Sequence, residues 1–162
     1  MVVSGATNET KVADEVWVAT ALLHRENPER EDFTPKEIEA RAAREQLTPR
    51  LRPGVYVHAS LHCVANLAPN SARYRMLLET RRGFRRLYRA SDPFHPGRAG
   101  GKVTPRPEAL PERYRELIDW YHGWAGSAAT GDPLLAVAGS GRELWASERA
   151  DAYVRRLREG WE

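Results

Sequence analysis

Thr34, Pro35, Lys36 and Glu37 constrain this chain more than any other stretch of it. Threonine followed three residues later by glutamate is a capping box, in which each side chain accepts a backbone N–H that would otherwise lack a partner. Proline at the first helical position has its φ already set. Phe33 and Ile38 stand at the two positions of a hydrophobic staple, so both the start of this helix and the angle of its entry are specified. Ile38 and Ala42 give it a narrow inner face and leave Arg41, Arg44 and Glu45 outward. Upstream, Val12, Val16, Ala19 and Leu23 recur as one stripe of an earlier helix ending near Asn27-Pro28. Trp17, within that apolar helix, is expected in the core. Downstream, Arg52-Pro53-Gly54 announces a third helix over 54–67. Val57, Leu61, Val64 and Ala65 are expected to face the first two helices, with Tyr56, His58, Ser60, His62 and Asn66 on the other side.

Two short runs, 73–80 and 84–89, follow, separated by Arg81-Arg82-Gly83 and rich in aromatic and branched residues. They predict a hairpin whose tip and second strand carry Arg81, Arg82, Arg85 and Arg86. Helix, turn, helix and basic hairpin is the outline of a winged helix-turn-helix, and the expected fold class is α+β, mainly helical, with a C-terminal helical extension. Charge agrees with a polyanionic partner. Residues 1–40 hold 4 basic and 9 acidic side chains, 41–106 hold 14 and 3, and 107–162 hold 7 and 10. A basic block of this kind matches the footprint of a phosphate-backbone binder. The expected nucleic-acid contacts are Arg50, Arg52, Tyr56, His58, His62 and Asn66 on or before the third helix, where donors and acceptors reach base edges. Arg73, Arg81, Arg82, Arg85 and Arg86 on the wing would hold phosphates or enter the minor groove. DNA and RNA both remain open as the partner.

Residues 91–111 contain five prolines and three glycines. They read equally as a basic arm laid along DNA, through Arg98, Lys102 and Arg106, or as a strap packed over the domain. A helix from Pro111 with Tyr114, Leu117, Ile118 and Tyr121 on one stripe closes the module. The expected organisation is therefore a winged domain over 11–122, a linker over 123–131 and a partner-binding segment over 132–162. That last segment holds Leu144, Trp145, Tyr153, Leu157 and Trp161 but is too short for its own core. It would dock on its own domain or fold on a partner.

Two resemblances add to this reading. Through DFTPKEI, GVYVHASLHCVANL and RRLYR, residues 14–121 resemble a group of bacterial winged-helix proteins. The last thirty or so residues, above all GSGRELW and VRRLREGW, resemble the toxin-binding tail of VapB-type antitoxins. That second resemblance implies a partner, a PIN-domain ribonuclease toxin. It makes Leu144, Trp145, Tyr153, Leu157 and Trp161 groove-filling anchors, and Arg142, Arg155, Arg156 and Arg158 candidates for meeting the toxin's acidic site. Aromatic residues and arginine are the usual hot spots of an interface. Antitoxins of that type commonly carry a smaller DNA-binding domain than a winged helix, so operator geometry and oligomeric state, a homodimer included, do not follow from the likeness. The implied function is an antitoxin that represses its own operon. The alternative is a stand-alone nucleic-acid-binding protein whose tail packs on itself, and a third is an interaction domain that binds no nucleic acid.

Catalysis is not expected. His58, His62 and Cys63 suggest a metal, but position 59 is alanine rather than the glutamate of HExxH and no second ligand cluster is evident, so neither metal nor cofactor is expected. Gly139-Ser140-Gly141-Arg142 lacks the lysine of a phosphate loop. One cysteine excludes an internal disulfide. The longest nearly apolar run, 16–23, is far short of the roughly 20 residues a bilayer span needs. The first residues lack the layout of a signal peptide. A cytoplasmic location, off the membrane, is the expectation.

Overall fold

A computed structural model describes residues 10–50 and 52–130. Its class is α+β. Helices α1 (Val12–Glu26), α2 (Pro35–Glu45), α3 (Gly54–Val57) and α4 (Glu112–Thr130) accompany one antiparallel hairpin, β1 (Leu77–Arg81) and β2 (Phe84–Leu87). The described residues up to Ala125 form one compact unit; a second begins at Gly126, and its described part is the end of α4.

Helix α1 is the post around which that first unit is built. Its expected stripe is present, yet Ala13 through Leu22 and His24 are all buried, so it is covered on nearly every side rather than along one face. Trp17 is fully buried and meets Tyr121 of α4 edge to face at 5.7 Å. The helix stops where Asn27 folds back, its N–H and its Nδ2 both donating to the Leu23 carbonyl.

Helix α2 begins as its sequence specifies. Glu37 N–H donates to Thr34 Oγ1 at 3.3 Å and Thr34 N–H to Glu37 Oε2 at 2.8 Å, while Phe33 and Ile38 are fully buried. Arg41 corrects the sequence reading of this helix: it lies buried, bridging Glu26 at 2.7 Å and Glu45 one turn on.

The third helix departs most from expectation. After the four residues of α3 the chain widens into a π-helical turn, His58–His62, and ends there rather than at 67. Val55, Ala59 and Cys63 form the buried stripe, while Val57 and Leu61 are 40% and 54% exposed. The expected stripe was two positions out of phase, and two residues at about 100° each place a side chain on the opposite face. Val64 and Ala65 are buried as expected, in the turns that follow.

The hairpin pairs Leu77 with Leu87, Leu78 with Arg86, Glu79 with Arg85 and Arg81 with Phe84, with a bulge between Glu79 and Arg81. Gly83 turns it at φ +83°. It is fastened on both sides. Phe33, just before α2, exchanges two backbone hydrogen bonds with Arg85 (2.8 and 2.7 Å), and the chain after the π turn bonds Leu77 through Cys63 and Ala65. The expected strand from 73 starts only at 77. The residues before it run beside 101–102 instead, where Gly101 passes so close to the Arg73 carbonyl that any Cβ would collide with it.

Of the two readings of 91–111, the strap is the one observed. His95 N–H reaches the Ala65 carbonyl, Leu110 is buried, and two short 3-10 turns, Pro96–Arg98 and Pro107–Ala109, shape the path. Helix α4 then buries Tyr114, Leu117 and Tyr121, with Ile118 half-buried, and runs on as helix through Gly123 and Gly126 to Thr130, across residues expected to form a linker. Among the described residues no helix is long and apolar enough to cross a membrane.

Candidate nucleic-acid interface

The acidic first quarter and the basic middle of the chain meet each other inside the fold. Asp14, fully buried, takes Lys102 at 2.6 Å. Glu15 takes Arg52 at 2.8 Å, and Asp32 accepts from Thr80 at 2.7 Å and pairs with Arg81 at 3.3 Å. Burial works to raise the Asp32 pKa, but the bonds from Thr80 and Arg81 outweigh it and the net shift is downward. Glu37 is held down to about 2, first by its hydrogen bond from Arg30 and further by the Thr34 backbone and hydroxyl. Much of the basic block thus has intramolecular partners.

Arg98 is the extreme case. Its guanidinium is fully buried and carries no carboxylate partner; instead all five N–H bonds go to backbone carbonyls. Nε donates to Leu67 at 2.7 Å, Nη1 to His62 and Tyr74 at 2.8 and 2.7 Å, and Nη2 to Leu61 and Ala68 at 3.0 and 3.3 Å. Two of these are end carbonyls of the π turn: Leu61, which also accepts the Val64 N–H at 3.3 Å, and His62, which no continuing helix satisfies. The side chain thereby ties strap, third helix and the approach to β1 at one point. No signal in the sequence marks it apart from the other arginines.

The eleven expected contact residues divide into those turned inward and those left exposed. Arg85 and Arg86 are only 5% and 8% exposed. Arg85 pairs with Glu79 at 2.6 Å and donates to the Ser60 carbonyl, and Arg86 forms a two-pronged bond with Asp92 at 2.7 Å on each arm. Expected as outward wing cations, both face inward, because Arg85 reaches the third helix and Arg86 the strap. Arg52 is likewise turned to Glu15 and the Thr10 carbonyl. Asn66 spends both halves of its amide on the Glu79 backbone, at 2.9 and 3.0 Å, and so fastens the hairpin.

Arg50, Arg73 and Arg82 are exposed, with no side-chain hydrogen bond or ion pair among the described residues, and Arg81 is exposed over the Phe84 ring at 3.7 Å while paired with Asp32. Arg81 and Arg82 together form the hairpin tip. Tyr56 is exposed, and with it the two apolar residues expected inside, Val57 and Leu61. Tyr56 also lines a groove of about 320 Å³ with Lys36, Glu39, Ala40 and Ala43 of α2. His58 and His62 lie ring to ring at 4.9 Å, half-buried, with His58 Nδ1 bonded to the Gly54 carbonyl at 2.9 Å. Burial lowers the His58 pKa, the Gly54 bond opposes this, and the charges of His62 and Arg52 lower it further. Among the described residues no three histidine, cysteine or carboxylate groups come together as a metal would require. The buried Cys63 thiol has its pKa pushed up by burial, which leaves it unreactive.

The expected partner-binding residues Arg142, Leu144, Trp145, Tyr153, Arg156, Leu157 and Trp161 lie outside the described residues. No family model, no curated protein and no solved structure matches the chain.

Proposed function

We propose that this chain is a winged helix-turn-helix DNA-binding protein and, through residues 132–162, an antitoxin that represses its own operon and neutralises a PIN-type ribonuclease. The observation that carries the first half is the order of parts around the hairpin. A one-residue strand at Phe33 sits between α1 and α2 and pairs with β2, and α2, the short third helix and the hairpin follow. That arrangement supports a wing whose tip, Arg81-Arg82, is exposed to solvent. The face available to bases is Tyr56, Val57 and Leu61. It is largely apolar, so its natural targets in a major groove are thymine methyl groups rather than a pattern of donors and acceptors. The second half rests on the tail's resemblance alone.

Selection from a random duplex library, followed by binding titrations, tests the DNA-binding half. Arg82→Ala and Arg73→Ala weaken binding to all sequences, and Tyr56→Ala or Leu61→Ala relaxes preference. Deoxyuridine in place of thymine, which removes only the methyl, weakens the selected site. No saturable binding at low salt would sink the reading. In that event the exposed Tyr56, Val57 and Leu61 favour the alternative of an interaction domain for a protein partner. The antitoxin half is tested by co-purification from native cells. A ribonuclease should accompany the full chain and be lost when Leu144 and Trp145 are changed to aspartate; no such ribonuclease with the full chain rejects it.

A further inference from the structure

His24, Pro28, Glu29, Arg30, Glu31, Arg89 and Trp124 line an open cleft of about 260 Å³ on the side of α1 near its C-terminal end. Two arginines stand close to one carboxylate beside it. Asp92 gives both oxygens to Arg86, at 2.7 Å each, and accepts only the backbone N–H of Arg89. Among the described residues the Arg89 guanidinium has no acceptor on any nitrogen. Its Nε is shut off from solvent with no hydrogen bond, and its plane lies over the Trp124 ring at 4.3 Å. Arg30, across the cleft, is already committed to Glu37 and the Asp32 carbonyl. His24 cannot help neutralise an anion by charge near neutrality: burial and then the charges of Arg89 and Arg86 lower its pKa to about 4.

A half-buried guanidinium with no hydrogen-bond acceptor is costly to keep; the Trp124 ring offsets part of that cost, but Arg89 ties no backbone carbonyls together as Arg98 does. Its two Nη nitrogens form the fork that suits a carboxylate or phosphate. We propose that this cleft binds a small oxyanion-bearing ligand, carboxylate or phosphate, held by the Arg89 fork against the Trp124 edge of the cleft. Glu29 and Glu31 in the lining form no ion pair with Arg89 and repel anions in proportion to their charge, which weighs most against a polyanion such as DNA. The proposal does not depend on the DNA-binding reading.

The test is calorimetric titration and thermal unfolding of the full chain with inorganic phosphate and, separately, acetate, at ionic strength matched with chloride. A ligand that binds only the folded form raises Tm in a saturable way. The expected result is a saturable rise with at least one anion, absent in Arg89→Gln, retained in Arg82→Gln and larger in Glu31→Gln; which anion gives it distinguishes phosphate from carboxylate. Arg89→Lys keeps the charge but loses the fork, and is expected to bind several-fold more weakly. Without anion, Arg89→Gln should unfold at the same temperature as the unaltered chain or higher. Equal rises in the unaltered chain and Arg89→Gln, no rise with either anion, or an Arg89→Gln chain that is destabilised or fails to fold would each overturn the proposal.

Discussion

Arg98 and His24 show how one side chain can carry a disproportionate share of this fold. Replacing Arg98 with methionine leaves four carbonyls, from His62, Leu67, Ala68 and Tyr74, without a donor, while Leu61 keeps the Val64 N–H at 3.3 Å. Unsatisfied buried polar groups cost on the order of 1–3 kcal/mol each before relaxation and water entry reduce the sum. Chemical denaturation should therefore show Arg98→Met destabilised by about 3 kcal/mol or more, and Arg98→Lys only partly restored, since an ammonium has three donors and no plane. His24 is neutral inside, its Nε2 accepting the Leu87 N–H at 3.3 Å. Its pKa falls from an ordinary 6.5 in the unfolded chain to about 4 in the folded one. Between those values the unfolded state binds more protons, so the stability His24 contributes is fully present above pH 6.5 and is lost as pH falls towards 4. At about 1.4 kcal/mol per pH unit the loss is roughly 3 kcal/mol. Denaturation midpoints measured from pH 7 to 4.5 should fall in the unaltered chain and stay nearly flat in His24→Gln.

At the scale of elements, what could be read in advance was whatever depends on neighbours in sequence. The α2 start is the clearest case, because a capping box is written within four residues. Thr34→Ala should cost about 1 kcal/mol, read from the urea midpoint, with the slope of the transition unchanged. The third helix was not legible in the same way. Its residues offer two competing stripes, one through Val57 and Leu61 and one through Val55, Ala59 and Cys63. What selects the second is remote: α1 lies against Gly54, through Val12, and Arg98 takes the carbonyls at the other end. Small residues at 54, 59 and 63 let the helix approach closely, and the larger Val57 and Leu61 are turned out. A double change of Val57 and Leu61 to serine should therefore leave stability within about 0.5 kcal/mol, as expected of exposed positions. Under the expected phase it would have emptied the core.

For the molecule as a whole, the charge pattern was legible but its use was not. A block of like charge in sequence is consistent with an external polyanion and equally with acidic segments elsewhere in the same chain, and only the tertiary arrangement separates the two. Here Asp14, Glu15, Glu26 and Asp32 of the first segment meet Lys102, Arg52, Arg41 and Arg81 of the second. Arg98 is sealed among carbonyls, and Arg85 and Arg86 are spent on Glu79 and Asp92. Of the cations expected to meet nucleic acid, Arg50, Arg73, Arg81 and Arg82 remain exposed. Each phosphate neutralised on duplex DNA contributes about 0.9 to the slope of log affinity against log salt. Four contacts give a slope of about −3.6, whereas all seven expected arginines would give about −6 and the whole block of fourteen cations about −13. Binding of the selected duplex measured across chloride concentration should therefore follow the shallow line. Arg82→Ala should reduce the slope by about one, and Arg86→Ala should leave the slope alone while lowering Tm, since Arg86 serves Asp92. A steep slope that Arg86→Ala flattens would mean that the inner ion pairs open on binding, and the hairpin would then act as a part that rearranges on DNA rather than a fixed wing.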